Sequence, residues 1–321
     1  MVRPQFDGLV GQATAVALLC RAVDQQRVAP AYLFAGPHGV GRQLAATGFA
    51  EILLAGAKSP DAKSPAALGR RIAQRNHPDL LWVEPTYLHQ GRLVAASQAA
   101  EAGLSRKSPP QTRLEQVRQI AQFLSRPPLE AARAVVVIEA AETMAEGAAN
   151  GLLKTLEEPG QATIILLAPG PQSLLPTLVS RCQTISFQRL TAPDLATVLH
   201  RVGQAEVLQH PQMLAMAQGS PGGAIAAYRQ LQTIPPELLT ALHQPPRSLR
   251  DALDQARQVT KALDTESQLW LLDYLLNWYW QSYPTASARW LPKLEAAKGY
   301  LRRFVQPRLV WEAMLMDLIQ A

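Results

Sequence analysis

Two periodicities alternate through the first 190 or so residues of the chain. Short unbroken apolar runs, Ala31-Tyr32-Leu33-Phe34-Ala35, Leu80-Leu81-Trp82-Val83, Ala134-Val135-Val136-Val137-Ile138 and Thr163-Ile164-Ile165-Leu166-Leu167, have the length expected of strands buried on both faces. Between them lie stripes at helical spacing. Ala15, Leu18, Leu19 and Ala22 mark a helix over 14–23, another is predicted over 44–54, and Leu114, Val117, Ile120 and Ala121 share one face of a helix over 114–124. Thr143-Met144-Ala145-Glu146 reads as a capping box opening a helix that carries Ala149, Leu152, Leu153 and Leu156 and stops at Pro159-Gly160. A last strand is predicted over 183–187.

Strands alternating with helices predict an α/β core with a parallel sheet covered on both faces. Beyond Phe187 the alternation ends. Thr191-Ala192-Pro193-Asp194 starts a helix with Leu195, Val198 and Leu199 inward, and Gly219-Ser220-Pro221-Gly222-Gly223 interrupts the helical pattern further on. From about Pro235 the pattern is helical throughout, with Pro307 near the start of the last helix. The chain therefore divides into an α/β core over 1–187, a small helical domain over 188–234 and a helical bundle over 235–321. Within the bundle, Leu271, Leu272, Leu275, Leu276 and Tyr279 follow helical spacing and belong to its core. Trp270, Trp278 and Trp280 widen that apolar face, an excess suited to burial against another helical domain.

Composition narrows the class. At 321 residues, 48% of them hydrophobic and 17% charged, the chain is folded rather than disordered. Cys20 and Cys182 lie far apart and form neither a disulfide framework nor a Cys-x-x-Cys metal pattern, which points to a reducing cytoplasm. The opening Met1-Val2-Arg3-Pro4-Gln5-Phe6-Asp7 is unlike a signal peptide. Residues 269–280 are too short a run, and with Asp273 and Asn277 too polar, to span a bilayer. Between Lys58 and Arg126 there are eleven Lys/Arg against five Asp/Glu, an excess equal to the whole net charge of +6. That segment is either a solvated basic surface or insertion, or a nucleic-acid contact; no aromatic interleaving accompanies the charges. Within it, residues 55–111 carry the weakest pattern, and their role is open.

Candidate chemistry sits at Gly36-Pro37-His38-Gly39-Val40-Gly41-Arg42-Gln43, between a predicted strand and a predicted helix, the context a phosphate-binding loop requires. Gly36, Gly39 and Gly41 keep the loop's glycines. Arg42 stands where the phosphate-binding lysine belongs, and Gln43 where a hydroxyl would ligate Mg²⁺. The strand that should end in an acidic pair ends Glu139-Ala140, so one carboxylate remains near a metal position and none orients the attacking water. The next strand ends Ala168-Pro169, without a polar side chain for the γ-phosphate. These four replacements count together against hydrolysis, and against nucleotide binding as well. A last candidate is Ser180-Arg181-Cys182. Its guanidinium either satisfies local carbonyls or a carboxylate, or stabilises a transferring phosphoryl group on a neighbouring chain.

Together with the glycine loop, Leu152-Leu153-Lys154-Thr155-Leu156-Glu157-Glu158-Pro159, Leu174-Leu175-Pro176-Thr177 and Ser180-Arg181-Cys182-Gln183 resemble the clamp-loader subunits of the AAA+ class found in bacterial replication. The likeness is strongest from Gly8 to Phe187 and weakest in the C-terminal helices. It implies an AAA+ core, a helical lid and an oligomerising helical collar. It also implies a non-catalytic stator role in a hetero-oligomeric ring with γ/τ and δ subunits, which loads a sliding clamp onto primed DNA. By matching position, Arg181 is then the arginine finger offered in trans to a neighbouring γ/τ ATP site. Many members carry a four-cysteine zinc module after the P-loop helix; with no cysteine between Cys20 and Cys182, no zinc or other metal is expected here. Two alternatives stay open: a γ/τ-like ATPase in which Arg42 replaces the lysine, and a DNA-binding subunit using residues 58–126.

Overall fold

The computed structural model describes residues 3–55, 65–99 and 109–320, and its contacts divide the chain into two units meeting between Asp194 and Leu195. In the first unit α1 (Ala13–Asp24) precedes β1 (Ala31–Ala35), α2 (Arg42–Leu54), α3 (Pro65–Ala73) and β2 (Leu80–Val83). A hairpin, β3 (Thr86–His89) and β4 (Arg92–Ala95), leads towards α4 (Leu114–Leu124), β5 (Ala134–Ile138), α5 (Glu146–Glu157) and β6 (Ala162–Ala168). Next come the short α6 (Pro176–Val179), β7 (Gln183–Ser186) and α7 (Ala192–Arg201), which crosses into the second unit.

The main sheet has the order β2-β5-β6-β1-β7, and all its pairings are parallel. Every residue of β1, β5 and β6 is buried, as unbroken apolar runs require when helices cover both faces. Each such Val, Ile or Leu contributes roughly 1.5–3 kcal/mol of burial, so these three strands anchor the unit. The register sets Ala35 beside Ala168 and Ser186, which brings the carboxyl ends of β6 and β7 to the glycine loop. That end of the sheet, where strand order reverses around β1, is where open α/β sheets build their sites.

Two local expectations are corrected. Thr143 does not cap α5: the helix starts at Glu146 behind Ala145 with no side-chain cap, and the Thr143 hydroxyl donates instead to the Ala140 carbonyl within a 3₁₀ turn. The weakly patterned stretch holds more than one strand, because Gln90 and Gly91, both at positive φ, make a tight turn that closes the hairpin of β3 and β4. The proline-bearing segment before Arg181 is the short helix α6, with Pro176 in its first turn. Lys58, Lys63, Arg106 and Lys107 of the basic stretch lie outside the described residues.

The second unit is helical, with α8 (Pro211–Ala217), α9 (Pro221–Thr233), α10 (Pro236–Leu242), α11 (Leu249–Ala262), α12 (Thr265–Ser282), α13 (Pro284–Arg302) and α14 (Pro307–Gln320). Ser220, Ser248 and Asp264 cap the starts of α9, α11 and α12 with their side chains. Leu271, Leu272, Leu275 and Tyr279 are buried, whereas Leu276 is only partly so. Trp311 is fully buried and donates to Gln268, whose amide in turn donates to the Leu263 carbonyl, so a satisfied polar chain ties α14 to α12. Of the three excess tryptophans, Trp270 stacks on Tyr274 and Trp278 on His243, while Trp280 stays exposed. No helix among the described residues is long and apolar enough to cross a membrane.

Candidate functional site

The loop after β1 keeps the shape of a phosphate cradle because glycine is required in it. A Cβ on Gly36 would lie 2.5 Å from the Phe187 carbonyl oxygen, and Gly41, at φ +104°, would set one 2.4 Å from Leu9. Gly41 forms the N-cap of α2, so the first amides of a 13-residue helix face the loop. The cleft they border, lined by His38, Gly39, Arg42, Gln43, Glu139 and Leu167 among others, holds about 250 Å³. Ordinary small-molecule sites run from ~300 to 1,000 Å³.

The side chains around this cleft are engaged with one another. Arg42 is buried, its Nη2 meets His38 Nδ1 at 3.1 Å, and its Nη1 is buried without a hydrogen-bond partner. Burial pulls this guanidinium below its ordinary pKa, against the opposing charges of Glu142 and Glu139. On its other side His38 Nε2 lies 3.3 Å from Glu142. Glu139, at the end of β5, receives three donors on a single oxygen: Gln43 Nε2 at 2.5 Å, Arg75 Nη2 at 2.9 Å and the Trp82 indole N–H. Arg75 also pairs with the buried Glu84 and lies over the Trp82 ring, 4.9 Å from its centroid. Ala140 takes a left-handed φ of +44° and offers no polar side chain. A Mg²⁺-nucleotide does not fit this donor set, because the one carboxylate at the metal position is engaged through Oε1 by a guanidinium, an amide and an indole N–H, and the loop carries the Gln43 amide instead of a hydroxyl. Among the described residues no three His, Cys, Asp or Glu side chains gather as a metal cluster.

Gly39, Gly41, Arg42, Gln43 and Glu139 thus line one cleft, with Gly36 packed against Phe187 at the start of the same loop. The Arg75, Trp82 and Glu84 network was missed by sequence reasoning. Its one signal was an isolated tryptophan in β2, the strand paired to β5, which puts Trp82 opposite Val137. Described members of the basic stretch are partly neutralised inside the chain, since Arg71 makes a two-pronged pair with Glu130 and Arg75 is doubly paired.

Arg181 lies apart from this cleft, just beyond α6. Its Nε and Nη2 donate to Glu157 Oε1 at 3.1 and 2.6 Å, and its Nη1 to the Thr177 carbonyl at 3.0 Å. Both partners of the ion pair are exposed to solvent, the arginine side chain by 37% and the glutamate by 53%. Beside it, burial pushes the Cys182 thiol up to about 11, so this cysteine is not a reactive nucleophile.

A parallel sheet of this order, with a glycine loop feeding a helix and a helical C-terminal region, is an AAA+-type fold. In agreement, a crystal structure of a DNA polymerase III gamma subunit-related protein from Thermotoga maritima superposes over 95% of this chain and 98% of its own, with a TM-score of 0.50 at 15% identity. The family described as DNA polymerase III, delta subunit, matches residues 11–191, and that described as cyanobacterial DNA polymerase III delta prime, C-terminal domain, matches residues 193–318. The chain therefore belongs to the family described as DNA polymerase III, delta subunit, and its C-terminal part is similar to the delta prime C-terminal domain. It is 33% identical to the delta prime subunit of Bacillus subtilis over 180 residues, 56% of this chain and 48% of that protein. It is also 33% identical to the delta prime subunit of Pseudomonas aeruginosa over 208 residues, 60% of this chain and 54% of that protein. The chain spans about half the length of these curated relatives.

Proposed function

We propose that this chain is a non-hydrolysing delta prime-type subunit of a cytoplasmic clamp loader, a stator that sits with γ/τ and δ subunits and supports ATP-dependent loading of a sliding clamp onto primed DNA. The observation that carries the reading is the occupation of Glu139: Gln43, Arg75 and Trp82 engage the carboxylate that a metal would need. In this reading the loop is a degenerate Walker A sequence retained for its packing, residues 188–234 are a lid, and residues 235–321 are a collar that joins the ring. Arg181, exposed and held by a solvent-facing glutamate, the Thr177 carbonyl and the Ser180 hydroxyl, is the chain's contribution to chemistry, given in trans to the ATP site of a neighbouring γ/τ subunit. The match of both halves of the chain to delta-type families supports the assignment over an active γ/τ-like ATPase.

The test is hydrolysis by the isolated chain set against the assembled complex. Alone, with Mg²⁺ and ATP, the chain is expected to release no phosphate above background. With γ/τ and δ it is expected to form a stable complex whose turnover rises with clamp and primed DNA. Mg²⁺-dependent hydrolysis by the chain alone overturns the stator reading.

A further inference from the structure

The corner between α13 and α14 breaks a local rule of helix termination. Helix α13 ends in a Schellman motif, with the Phe304 amide donating to the Leu301 carbonyl and the Val305 amide to the Tyr300 carbonyl, each at 3.1 Å. The position after the C-cap must be left-handed, and Phe304 takes φ +60° there. Glycine or asparagine normally fills that place, because a Cβ is disfavoured in this conformation. Nor does folding recover the cost by burying the ring, since Phe304 is 77% exposed.

The surroundings share one chemistry. Tyr300 and Leu309 are exposed on the same corner, as are Arg302, Arg303 and Arg308. From Ala296 to Trp311 there are four Lys/Arg and no Asp or Glu. Arg308 pairs with Glu312 and Lys298 with Asp273 and Glu295, but among the described residues neither Arg302 nor Arg303 makes an ion pair. Exposed aromatic rings interleaved with unneutralised arginines make a stacking platform for single-stranded nucleic acid, whose bases offer π-faces and whose phosphates offer charge. An acidic peptide would share the charge complementarity. Grooves that take apolar peptide side chains enclose them, however, and the Phe304 ring is left exposed.

We propose that the α13–α14 corner binds single-stranded nucleic acid, with Phe304 and Tyr300 stacking bases and Arg302 and Arg303 holding phosphates. The test is fluorescence anisotropy of a labelled oligo-dT with the full chain, across a salt series. Phe304→Gly is the informative variant because it gives the left-handed position its preferred residue, so its melting temperature should hold or rise while affinity falls about tenfold. Arg302→Gln with Arg303→Gln should lower the salt slope of log K by ~1.4, the value for two phosphate contacts to a single strand. No binding of oligo-dT by the wild type, or equal binding by Phe304→Gly, overturns the proposal. So does binding of an acidic, leucine-bearing peptide in place of oligo-dT, which would reassign the corner to a protein partner.

Discussion

Replacing Arg181 by alanine separates a structural from a chemical role by magnitude alone. Inside the chain this side chain makes an ion pair between two solvent-exposed partners, a hydrogen bond to the Thr177 carbonyl and a long one, 3.5 Å, to the Ser180 hydroxyl. An exposed pair of this kind contributes about 0.2–1 kcal/mol. For a unit of this size the melting temperature should therefore fall by less than ~4 °C. A guanidinium placed on a transferring phosphoryl group is worth about 10³–10⁵ in rate, which is ~4–7 kcal/mol of barrier. The two readings thus differ by several kcal/mol. The assay is clamp- and DNA-stimulated ATP turnover by the reconstituted complex, after equal assembly of wild type and variant is established. Arg181→Ala is expected to silence the site it faces. Arg181→Lys should fail to restore it, since an ammonium keeps the charge but loses the planar fork. Glu157→Gln removes the in-chain anchor and should leave turnover intact. Wild-type turnover in Arg181→Ala, or an equal loss in Glu157→Gln, refutes the finger.

Two further outcomes rest on buried titratable groups. The Asp79 carboxylate accepts the backbone amides of Leu129, Glu130 and Ala131 at 2.6, 2.8 and 2.7 Å, so Asp79→Asn, which leaves at least one buried amide unpaired, should cost ~3 kcal/mol and ~6–12 °C in melting temperature. Burial pushes that carboxyl up, but the three amides and His77 outweigh it and hold its pKa below the usual value; the stability it contributes is complete above about pH 3.9 and lost as pH falls towards the lower folded value, a dependence that acid titration should find absent in Asp79→Asn. His243 stacks 3.8 Å from Trp278 and burial lowers its pKa, so the second unit should be most stable above about pH 6.5 and lose stability as pH falls below it; His243→Phe should flatten that dependence in tryptophan-monitored unfolding.

How each feature is encoded decides whether it was legible in the sequence. β1, β5 and β6 were readable because burial on both faces demands an unbroken apolar run, which few other structures produce. The hairpin was not, because β3 and β4 are half exposed and their signal rests on a Gln-Gly turn weaker than Asn-Gly. The capping box at Thr143 failed because Thr143 ends a 3₁₀ turn, where its hydroxyl donates to the Ala140 carbonyl and accepts no amide of α5, a competition that local pattern does not resolve. The glycine loop was legible since strand, loop and helix are contiguous. The network around Glu139 was not, for Gln43, Arg75, Trp82 and Glu139 come from four separated segments that only the sheet brings together.

Three arginines show how placement decides what one residue type can do. Arg42, at the old lysine position, is 7% exposed and bonded to His38, so it is fixed in the loop. Arg75 is clamped between Glu84 and Glu139 and laid on Trp82; its charge is consumed in holding the carboxylate that a metal would have needed. Arg181 alone of these three is held at the surface, by an exposed carboxylate, a carbonyl and a long bond to the Ser180 hydroxyl. Leaving such a pair costs little, so a phosphate presented by another subunit can compete for it, which neither of the other two permits. The same fold that engages Arg42 and Arg75 internally therefore leaves Arg181 able to be exchanged, which is the division of labour that the proposed stator role calls for.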